Sequence, residues 1–279
     1  MLSRENSVPG RAAVRKGHPA KDAPSLLIIE DNQDLVRYLT GSLQQFYRIE
    51  IAHDGEEGIA KAIEKIPDII VTDIMMPGKN GYELCHELKN HQLTSHIPVL
   101  MLTARADRSS RLTGWRQGAD AYMEKPFLLE ELQTRINSLL EQRRKLQDYY
   151  RSLSGLPGST ASEAPVAAGR LENEFLQRVS VIVEANLDNT QFSVEQLSRE
   201  VFISPSQLYR KLKALTGLSP IAYIRKKRLV KARQLLADSR LSIATVAGRS
   251  GFEDPKYFSR IFKREFGESP TKYRSKLRS

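Results

Sequence analysis

The sequence predicts two folds in one chain, an α/β doubly wound five-stranded parallel sheet followed by an all-α domain with two helix-turn-helix motifs. Three observations lead to this prediction. From Ser25 to about residue 141, five short apolar runs alternate with five helical patterns, as parallel strands joined by crossover helices do. From about Phe175 onward the pattern is helical throughout, and the chain matches itself at an offset of 50 residues. The net charge is −4 over residues 22–145 but +11 over residues 170–279, which also indicates two units of different character.

Changes in composition divide the chain into four predicted segments. Residues 1–23 mix basic, small and Gly/Pro residues without periodicity, which is typical of a disordered leader. The α/β unit is expected over residues 24–145 and the all-α unit over residues 171–279. Residues 128–150 show a long helical pattern that ends in Tyr149-Tyr150. Residues 146–170 are assigned as a linker, because Ser152–Gly169 is rich in Ser, Gly, Ala and Pro, as flexible linkers are. With such a linker the two units would need no fixed interface.

Composition also excludes several classes of protein. The chain has no apolar run long enough to cross a bilayer and no signal-peptide core near Met1. Its single cysteine, Cys85, excludes an internal disulfide framework and suits a reducing compartment. We therefore expect a cytoplasmic location.

The elements of the α/β unit follow from short apolar runs and amphipathic segments. The strands are predicted at residues 26–29, 47–53, 68–72, 98–103 and 121–124, and the helices at 34–46, 56–65, 82–90, near 108–117 and from about 128. After the third strand, Pro77, Gly78 and Gly81 predict an irregular loop.

Polar residues stand where four of these strands end. Glu30 and Asp31 follow the first strand, Asp73 the third, Thr103 the fourth and Lys125 the fifth. Ligand chemistry in open α/β sheets collects beyond the carboxyl ends of the strands. Three carboxylates there would repel one another without a cation, and hard oxygen ligands are those that Mg²⁺ prefers. The set suits transfer of a phosphoryl group onto a carboxylate, although each member alone could be an ordinary polar residue at a strand end.

These stretches resemble the receiver domain of two-component response regulators over residues 25–141. The motifs that carry the resemblance are Ile29-Glu30-Asp31-Asn32, Thr72-Asp73-Ile74-Met75-Met76-Pro77, Leu102-Thr103-Ala104 and Glu124-Lys125-Pro126-Phe127. The resemblance implies that Asp73 accepts phosphate from a histidine kinase. One departure is Glu30, where many receivers have Asp, and its longer side chain would alter the metal geometry without abolishing binding.

The same resemblance implies roles for the residues around Asp73. Lys125 would pair with the phosphoryl group, and Thr103 with Tyr122 would be the switch pair. The residues implied to hold Mg²⁺ are Glu30, Asp31, Asp73 and, through its main-chain carbonyl, Met75.

The all-α unit contains a duplicated helix–turn–helix. Residues 194–201 and 243–250 are predicted as the first helices of the two copies. Each second helix starts at a cap followed by proline and ends at a glycine. Eight residues of the first copy recur 50 positions later in the second. In the first copy they are Phe202, Pro205, Arg210, Lys213, Gly217, Ser219, Pro220 and Tyr223. In the second copy they are Phe252, Pro255, Arg260, Lys263, Gly267, Ser269, Pro270 and Tyr273. A long helix over residues 220–237 is predicted between the copies.

Helical periodicity gives the second helix of each copy a basic outer face. With Leu208, Leu212 and Leu215 inward in one copy, and Phe258 and Phe262 inward in the other, the outward faces match by position. The outward residues are Ser206, Tyr209, Arg210 and Lys213 in the first copy and Lys256, Ser259, Arg260 and Lys263 in the second. Such groups suit a helix in a DNA major groove. The alternative is a solvated basic face of a helical bundle.

Residues 175–277 resemble the AraC-type transcription regulators. The most specific match is Gly251-Phe252-Glu253-Asp254-Pro255-Lys256-Tyr257-Phe258-Ser259-Arg260-Ile261-Phe262-Lys263. The resemblance implies two helix-turn-helix motifs that read adjacent major grooves. Ala247-Gly248-Arg249 is an unusual version of the segment before this signature, but it belongs to a supporting helix.

Together these resemblances imply a phosphorylation-controlled, sequence-specific DNA-binding transcription regulator that is not an enzyme. Its expected partners are double-stranded DNA and a histidine kinase, with RNA polymerase as a further candidate and a homodimer expected on phosphorylation. Two alternatives stay open. The chain could be the C-terminal receiver and output portion of a hybrid histidine kinase, or a phosphate sink whose basic domain binds polyanions nonspecifically.

Overall fold

The first unit is a five-stranded parallel sheet with helices on both faces, as predicted. The computed structural model describes residues 19–20, 22–104, 118–153, 169–238 and 240–277. The strands are β1 (Ser25–Ile29), β2 (Arg48–Ala52), β3 (Ile69–Asp73), β4 (Val99–Ala104) and β5 (Ala121–Lys125). The helices described in this unit are α1 (Gln33–Leu43), α2 (Gly55–Lys65), α3 (Gly81–Asn90) and α4 (Leu129–Leu153). The helix predicted near residues 108–117 lies outside the described residues.

The strands lie in the order β2-β1-β3-β4-β5, and every neighbouring pair is parallel. Helices α1 and α4 cover one face of the sheet, where Leu39 and Leu132 share an apolar cluster. Helices α2 and α3 cover the other face, where Ile59 and Leu84 share a second cluster. Because the chain reverses its progression across the sheet between β1 and β3, a crevice opens beyond their carboxyl ends.

The loop after β3 is closed by Gly81 at the start of α3. The Gly81 amide donates to the Ile74 carbonyl at 2.9 Å. A Cβ at position 81 would collide with the main-chain oxygen of Asp73, so glycine is needed for this close approach. The Asn80 side chain caps α3 and forms a capping box with Glu83. These local features fix the backbone just after Asp73.

Helix α4 belongs to both units of the protein. Its first turns pack on the sheet through Leu132 and Ile136. Near its end, Tyr149 and Tyr150 are buried in an apolar cluster of the second unit. The helical pattern runs through the two tyrosines, as predicted, and α4 ends at Leu153. The first residues of the segment assigned as linker, 146–153, are therefore helix packed on the second unit. The two units also share contacts, which the predicted flexible linker did not require.

The second unit is all-α, as predicted. Its helices are α5 (Arg170–Ala185), α6 (Val194–Glu200), α7 (Pro205–Thr216), α8 (Pro220–Leu235), α9 (Ile243–Arg249), α10 (Pro255–Phe266) and α11 (Pro270–Lys276). One apolar cluster includes Leu208 of α7 and Tyr223 of α8. Another includes Leu229 of α8 and Phe258 of α10. Helix α8 thus connects the two helix-turn-helix motifs through both cores. No helix in the described part of the chain has the length and apolar character needed to span a membrane.

The second helix of each motif begins and ends where the sequence predicts. Ser204 caps α7 by accepting from the Gln207 amide, and Asp254 caps α10 by accepting from the Lys256 amide. A glycine in the left-handed conformation follows each helix, Gly217 with φ +71° and Gly267 with φ +79°. This is the helix end that glycine favours.

The turns of the two motifs correct one detail of the predicted repeat. In the first turn the left-handed residue is Phe202, with φ +60°, whereas in the second it is Gly251, with φ +76°. The Ile203 amide bonds to Ser198 and the Phe252 amide bonds to Ala247, so Phe252 corresponds to Ile203 rather than to Phe202. The first turn is one residue shorter than the second, and Phe202 is left 86% exposed.

Candidate functional site

Three carboxylates meet in the crevice between β1 and β3. The ends of these strands lie side by side, with Ile29 paired to Thr72. One carboxylate oxygen each from Glu30, Asp31 and Asp73 lie within 4.8 Å of one another. Glu30 is 1% exposed and Asp73 is 8% exposed, whereas Asp31 is open to solvent. The sequence therefore predicted this cluster correctly as a convergence of strand ends.

Lys125 partly neutralises the carboxylate cluster. Its Nζ lies 2.8 Å from Glu30 Oε2 and 3.0 Å from Asp73 Oδ2. The lysine reaches them because β4 pairs with both β3 and β5, which places the ends of all three strands at one edge. Three carboxylates and one ammonium leave an excess of negative charge when all are ionised.

Burial raises the pKa of Glu30 above its usual range. Loss of water around the carboxylate is the largest cause, the hydrogen bond and charge of Lys125 oppose it, and the nearby charge of Asp73 adds to it. A divalent cation would relieve this repulsion, and the donor set consists of hard oxygen atoms with one open, exposed side. The residues present thus fit a Mg²⁺ ion.

The Asp73 carboxylate is held in a fixed orientation. Its Oδ1 accepts a hydrogen bond from the Ile74 amide at 2.8 Å, while Oδ2 faces Lys125. Met75 lies in the loop that follows, and its side chain is 70% exposed. The Asp73 carboxylate is nearly buried, whereas the loop beside it is exposed.

Thr103 and Tyr122 lie on one face of neighbouring strands. Thr103 follows Leu102, the partner of Asp73 in the sheet, and Tyr122 pairs with Met101 two residues before Thr103. The Thr103 hydroxyl donates to the Ala104 carbonyl at 3.1 Å. The Tyr122 hydroxyl is buried and has no hydrogen-bond partner within the described ranges. Burial raises the Tyr122 pKa, so the ring remains neutral and packs against the apolar cluster of α2 and α3.

The outward faces of α7 and α10 carry the residues that the periodicity predicted. Leu208, Leu212 and Leu215 are buried under α7, and Phe258 and Phe262 are buried under α10. The residues on the opposite faces are exposed or half-buried: Ser206, Tyr209, Arg210 and Lys213 on α7 and Lys256, Ser259, Arg260 and Lys263 on α10.

Each basic face carries one cation over an aromatic ring. Lys213 Nζ lies 5.7 Å from the centre of the Tyr209 ring, and the Arg260 guanidinium lies 5.5 Å from the centre of the Tyr257 ring. Such contacts orient a long cationic side chain. The sequence analysis missed Tyr257, although its position three residues before Arg260 was a usable signal.

The two basic faces differ in how accessible they are. On α7, Arg210 Nη1 donates to the main-chain oxygen of Glu64, at the end of α2. Gln207 Nε2 approaches the Ile63 carbonyl at 3.5 Å. No hydrogen bond or ion pair joins α10 to the sheet unit within the part of the chain that the structure describes.

Comparison with protein families matches each unit to a known domain. Residues 26–137 match the response regulator receiver domain, and residues 197–276 match a helix-turn-helix domain. The chain is 34% identical over 256 residues to histidine kinase P4 of Formosa agariphila, which covers 92% of this chain and 18% of that protein. It is 37% identical over 119 residues to the response regulator ArlR of Staphylococcus saprophyticus, covering 42% of this chain and 53% of ArlR.

Among solved structures, a putative response regulator from Chloroflexus aurantiacus is 35% identical, with a TM-score of 0.41, and covers 43% of this chain and 98% of that one. The chain spans only part of the length of both curated relatives. The two domain matches agree with the sheet order and with the two helix-turn-helix motifs described above. The protein therefore joins a receiver domain of the two-component response regulator family to a helix-turn-helix domain of the AraC type.

Proposed function

We propose that this protein is a phosphorylation-controlled, sequence-specific DNA-binding transcription regulator, and that Asp73 accepts the phosphoryl group from a histidine kinase. The observation that carries the proposal is the meeting of Asp73, Glu30, Asp31 and Lys125 in one crevice of a chain that also has two matched basic helices. We assign the receiver to residues 24–145 and the DNA-binding domain to residues 171–279.

In the proposed transfer, one carboxylate oxygen of Asp73 attacks the phosphorus of a phosphohistidine. A P–O bond forms, the P–N bond breaks, and its electron pair stays on the imidazole of the kinase. Lys125 stays beside the aspartyl phosphate and offsets the added negative charge. A Mg²⁺ ion held by Glu30, Asp31, Asp73 and the main-chain carbonyl of Met75 would supply further charge stabilisation. Thr103, with Tyr122 as its switch partner, would hydrogen-bond a phosphoryl oxygen.

For the DNA, Arg210 and Arg260 would read base edges and Lys213 and Lys263 would contact phosphates. The flanking residues assigned to the same interface are Ser206, Tyr209, Lys256 and Ser259. The support is that each helix carries the same residue types at equivalent, solvent-facing positions. We further propose that phosphorylation pairs two receivers into a homodimer, which would raise the local concentration of DNA-binding domains at neighbouring sites, and that RNA polymerase is contacted at the promoter.

The test is selection of duplexes from random DNA, followed by competition between selected and scrambled duplexes at fixed salt, with and without a small phosphodonor. We expect the selected duplex to be preferred by at least roughly a thousandfold, as specific DNA-binding proteins show. Phosphorylation should tighten binding to the selected duplex, and sedimentation should show a larger species. Equal affinity for both duplexes would contradict the proposal and favour a phosphate sink that binds polyanions nonspecifically.

A second candidate is that these domains are the output portion of a hybrid histidine kinase. The alignment with histidine kinase P4 favours it, because the match includes both domains and occupies 18% of that longer protein. An antibody raised against residues 169–277 would separate the two candidates in source cells. A band near 31.6 kDa would support a separate regulator, and a much larger band would support the hybrid.

A further inference from the structure

The receiver covers the reading face of α7. Arg210, the proposed base reader of that helix, bonds to the main-chain oxygen of Glu64 in the receiver. Ile203, just before α7, packs against two apolar clusters: the α2–α3 cluster of the receiver and the core of its own domain. Helix α10 has no comparable bond to the receiver among the described residues. In this arrangement the receiver therefore contacts the outer face of α7 but makes no such bond to α10 among the described residues.

Helix α4 holds the other end of α7. Gln147 Nε2 donates to the Ala214 carbonyl at 2.7 Å, and Arg151 Nε donates to the Thr216 carbonyl at 3.0 Å. These carbonyls belong to the last turn of a helix, where acceptors lack partners within the helix. Because α4 also packs on the receiver sheet, it ties α7 to the receiver.

The outer face of α7 points into a cavity that the receiver also borders. The cavity has a volume of about 1140 Å³, and its lining includes Tyr209, Arg210 and Lys213 of α7 together with Arg48 and Lys65 of the receiver. A helix that reads DNA needs a duplex against this same face, with the phosphate backbones on either side of a major groove ~12 Å wide. The receiver residues around the cavity therefore stand where the duplex would have to lie.

Charge around the cavity adds little to the closed arrangement. The charged side chains of its lining are mainly basic: Arg48, Lys65, Arg143, Arg144 and Arg151 join Arg210 and Lys213 of α7, against Asp22, Glu50 and Asp68. Like charges around a shared space oppose closure. Closure therefore rests on the contacts of Arg210 and Ile203 described above and on a buried cluster.

A buried polar cluster lies on the opposite side of α7. Lys211 is 0% exposed, and its Nζ lies 3.2 Å from His96 Nδ1 and 3.8 Å from Glu172 Oε1. Glu172, on α5, also accepts a hydrogen bond from the Ser95 hydroxyl. Lys211 and Glu172 belong to the DNA-binding side, whereas Ser95 and His96 belong to the receiver loop before β4. We name these four residues the latch.

The receiver completes the hydrogen bonding of a buried ion pair. Burying a lysine and a glutamate is costly unless further hydrogen bonds satisfy them. Since the ammonium of Lys211 can only donate, His96 Nδ1 must accept, and the neutral ring then carries its proton on Nε2. His96 Nε2 is buried without a hydrogen-bond partner within the described ranges, so the closed form retains one unsatisfied donor. This unsatisfied donor opposes the hydrogen bonds that favour closure.

We propose that the receiver keeps α7 away from DNA in a closed form held by the latch of Ser95, His96, Glu172 and Lys211, while α10 remains free to bind. This inference rests on the proposed function, because it concerns access of the same helices to DNA. Ser95 and His96 of the latch lie just before β4, and the other end of β4 carries Thr103, so one strand joins the receiver side of the latch to the Asp73 crevice. Opening the latch would convert a one-helix DNA contact into a two-helix contact.

The test changes only the receiver side of the latch, so that the DNA-binding domain keeps its own ion pair. The variants are Ser95→Ala with His96→Ala, which removes both receiver partners, and the matched control is His86→Ala, an exposed histidine on α3. The first readout is hydroxyl-radical oxidation of Ile203 in the full chain without DNA or phosphodonor, with the exposed neighbour Phe202 as internal reference. We expect Ile203 oxidation to rise severalfold in the latch variant and to stay at the wild-type level in the control.

The second readout is affinity for a selected duplex without phosphorylation. If the closed form dominates, apparent affinity is reduced by the fraction of open molecules, so the latch variant should bind roughly tenfold more tightly. Unchanged Ile203 oxidation would overturn the latch. Increased oxidation with no gain of affinity for any duplex would support the latch and overturn the DNA-reading role proposed for α7, which keeps the two failures distinguishable. Circular dichroism confirms that the variant is folded.

Discussion

Lys125 Nζ lies 3.0 Å from Asp73 Oδ2, which places a positive charge directly beside the proposed phosphoacceptor. The same ammonium lies 2.8 Å from Glu30. The lysine thus balances two carboxylates before any cation or phosphoryl group arrives. Of these two carboxylates Asp73 is the less buried, 8% exposed against 1% for Glu30, which leads to the first prediction.

Asp73 is expected to be the sole site of phosphorylation. Wild-type protein incubated with a small phosphodonor and Mg²⁺ should gain the mass of one phosphoryl group, and Asp73→Asn should gain none. The bond should be labile to base, as acyl phosphates are. Asp34→Asn is the matched control, because Asp34 is an exposed aspartate on α1 that pairs with Arg37. The same adduct on Asp73→Asn would show that another residue is the acceptor.

Mg²⁺ is expected to stabilise the folded receiver through the three carboxylates. A ligand that binds only the folded state at a hundredfold excess over its Kd stabilises by about 2.7 kcal/mol. Thermal melts with and without Mg²⁺ should show a shift of several degrees in the wild type. Glu30→Gln should show a much smaller shift, while Glu50→Gln, an exposed residue on β2, should behave as wild type. Equal Mg²⁺ shifts in all three proteins would exclude Glu30 from the metal site.

Closure of the latch is expected to weaken at acidic pH because of His96. Burial, together with the positive charges of Lys211, Arg143 and Lys89, lowers the pKa of His96 well below its ordinary value in the closed form. Glu172 faces Lys211 at 3.8 Å. A second histidine, His91, also has a pKa lowered by burial and by the charge of Lys211, so it responds in the same direction. A group whose pKa is depressed in the closed form favours closure above its open-state pKa of about 6.5 and loses that contribution as pH falls.

Burial also lowers the pKa of Lys211 to about 8 in the closed form. This lysine therefore favours closure only as pH rises above that value, and it contributes no pH dependence near pH 6. Ile203 oxidation should therefore increase from pH 7.5 to pH 5.5. Binding of one proton to His96 weakens the free energy of closure by about 1.4 kcal/mol per pH unit at most, which limits this increase. His96→Asn should lose most of the dependence, His96→Asn with His91→Asn should lose all of it, and His86→Asn should keep it. A pH profile that is unchanged in His96→Asn would assign the effect to another group.

The two cations of α10 are expected to have separate roles on DNA. Arg260→Ala should lose about 1–3 kcal/mol on the selected duplex and little on a scrambled one, because a guanidinium can bond two acceptors of a base edge. Lys263→Ala should weaken both duplexes alike and reduce the slope of log affinity against log salt by about one. Competition titrations at several salt concentrations measure both effects. Equal losses on both duplexes for Arg260→Ala would make it a phosphate contact instead.

The sequence determined the elements of this protein and the edge at which its receiver chemistry gathers. Apolar runs fixed the five strands, and caps such as Asn80, Ser204 and Asp254 fixed where helices begin, because these signals act within a few residues. The carboxyl ends of parallel strands lie at one edge of the sheet. The sequence could therefore predict that Glu30, Asp73 and Lys125 lie together, as they do in the structure. The duplicated spacing similarly predicted the two reading helices.

Only the tertiary structure decided how the two domains meet. His96 and Lys211 are 115 residues apart in the sequence, and no local pattern pairs a loop histidine with an inward lysine of a distant helix. Helix α4 extends into the second domain because Tyr149 and Tyr150 are buried in an apolar cluster of that domain. Phe202 adopts a left-handed backbone conformation because its turn is one residue shorter than the second turn. Contacts of this kind arise from long-range packing, whose free energy is a small difference between burial and its costs, and the sequence of either partner alone does not specify it.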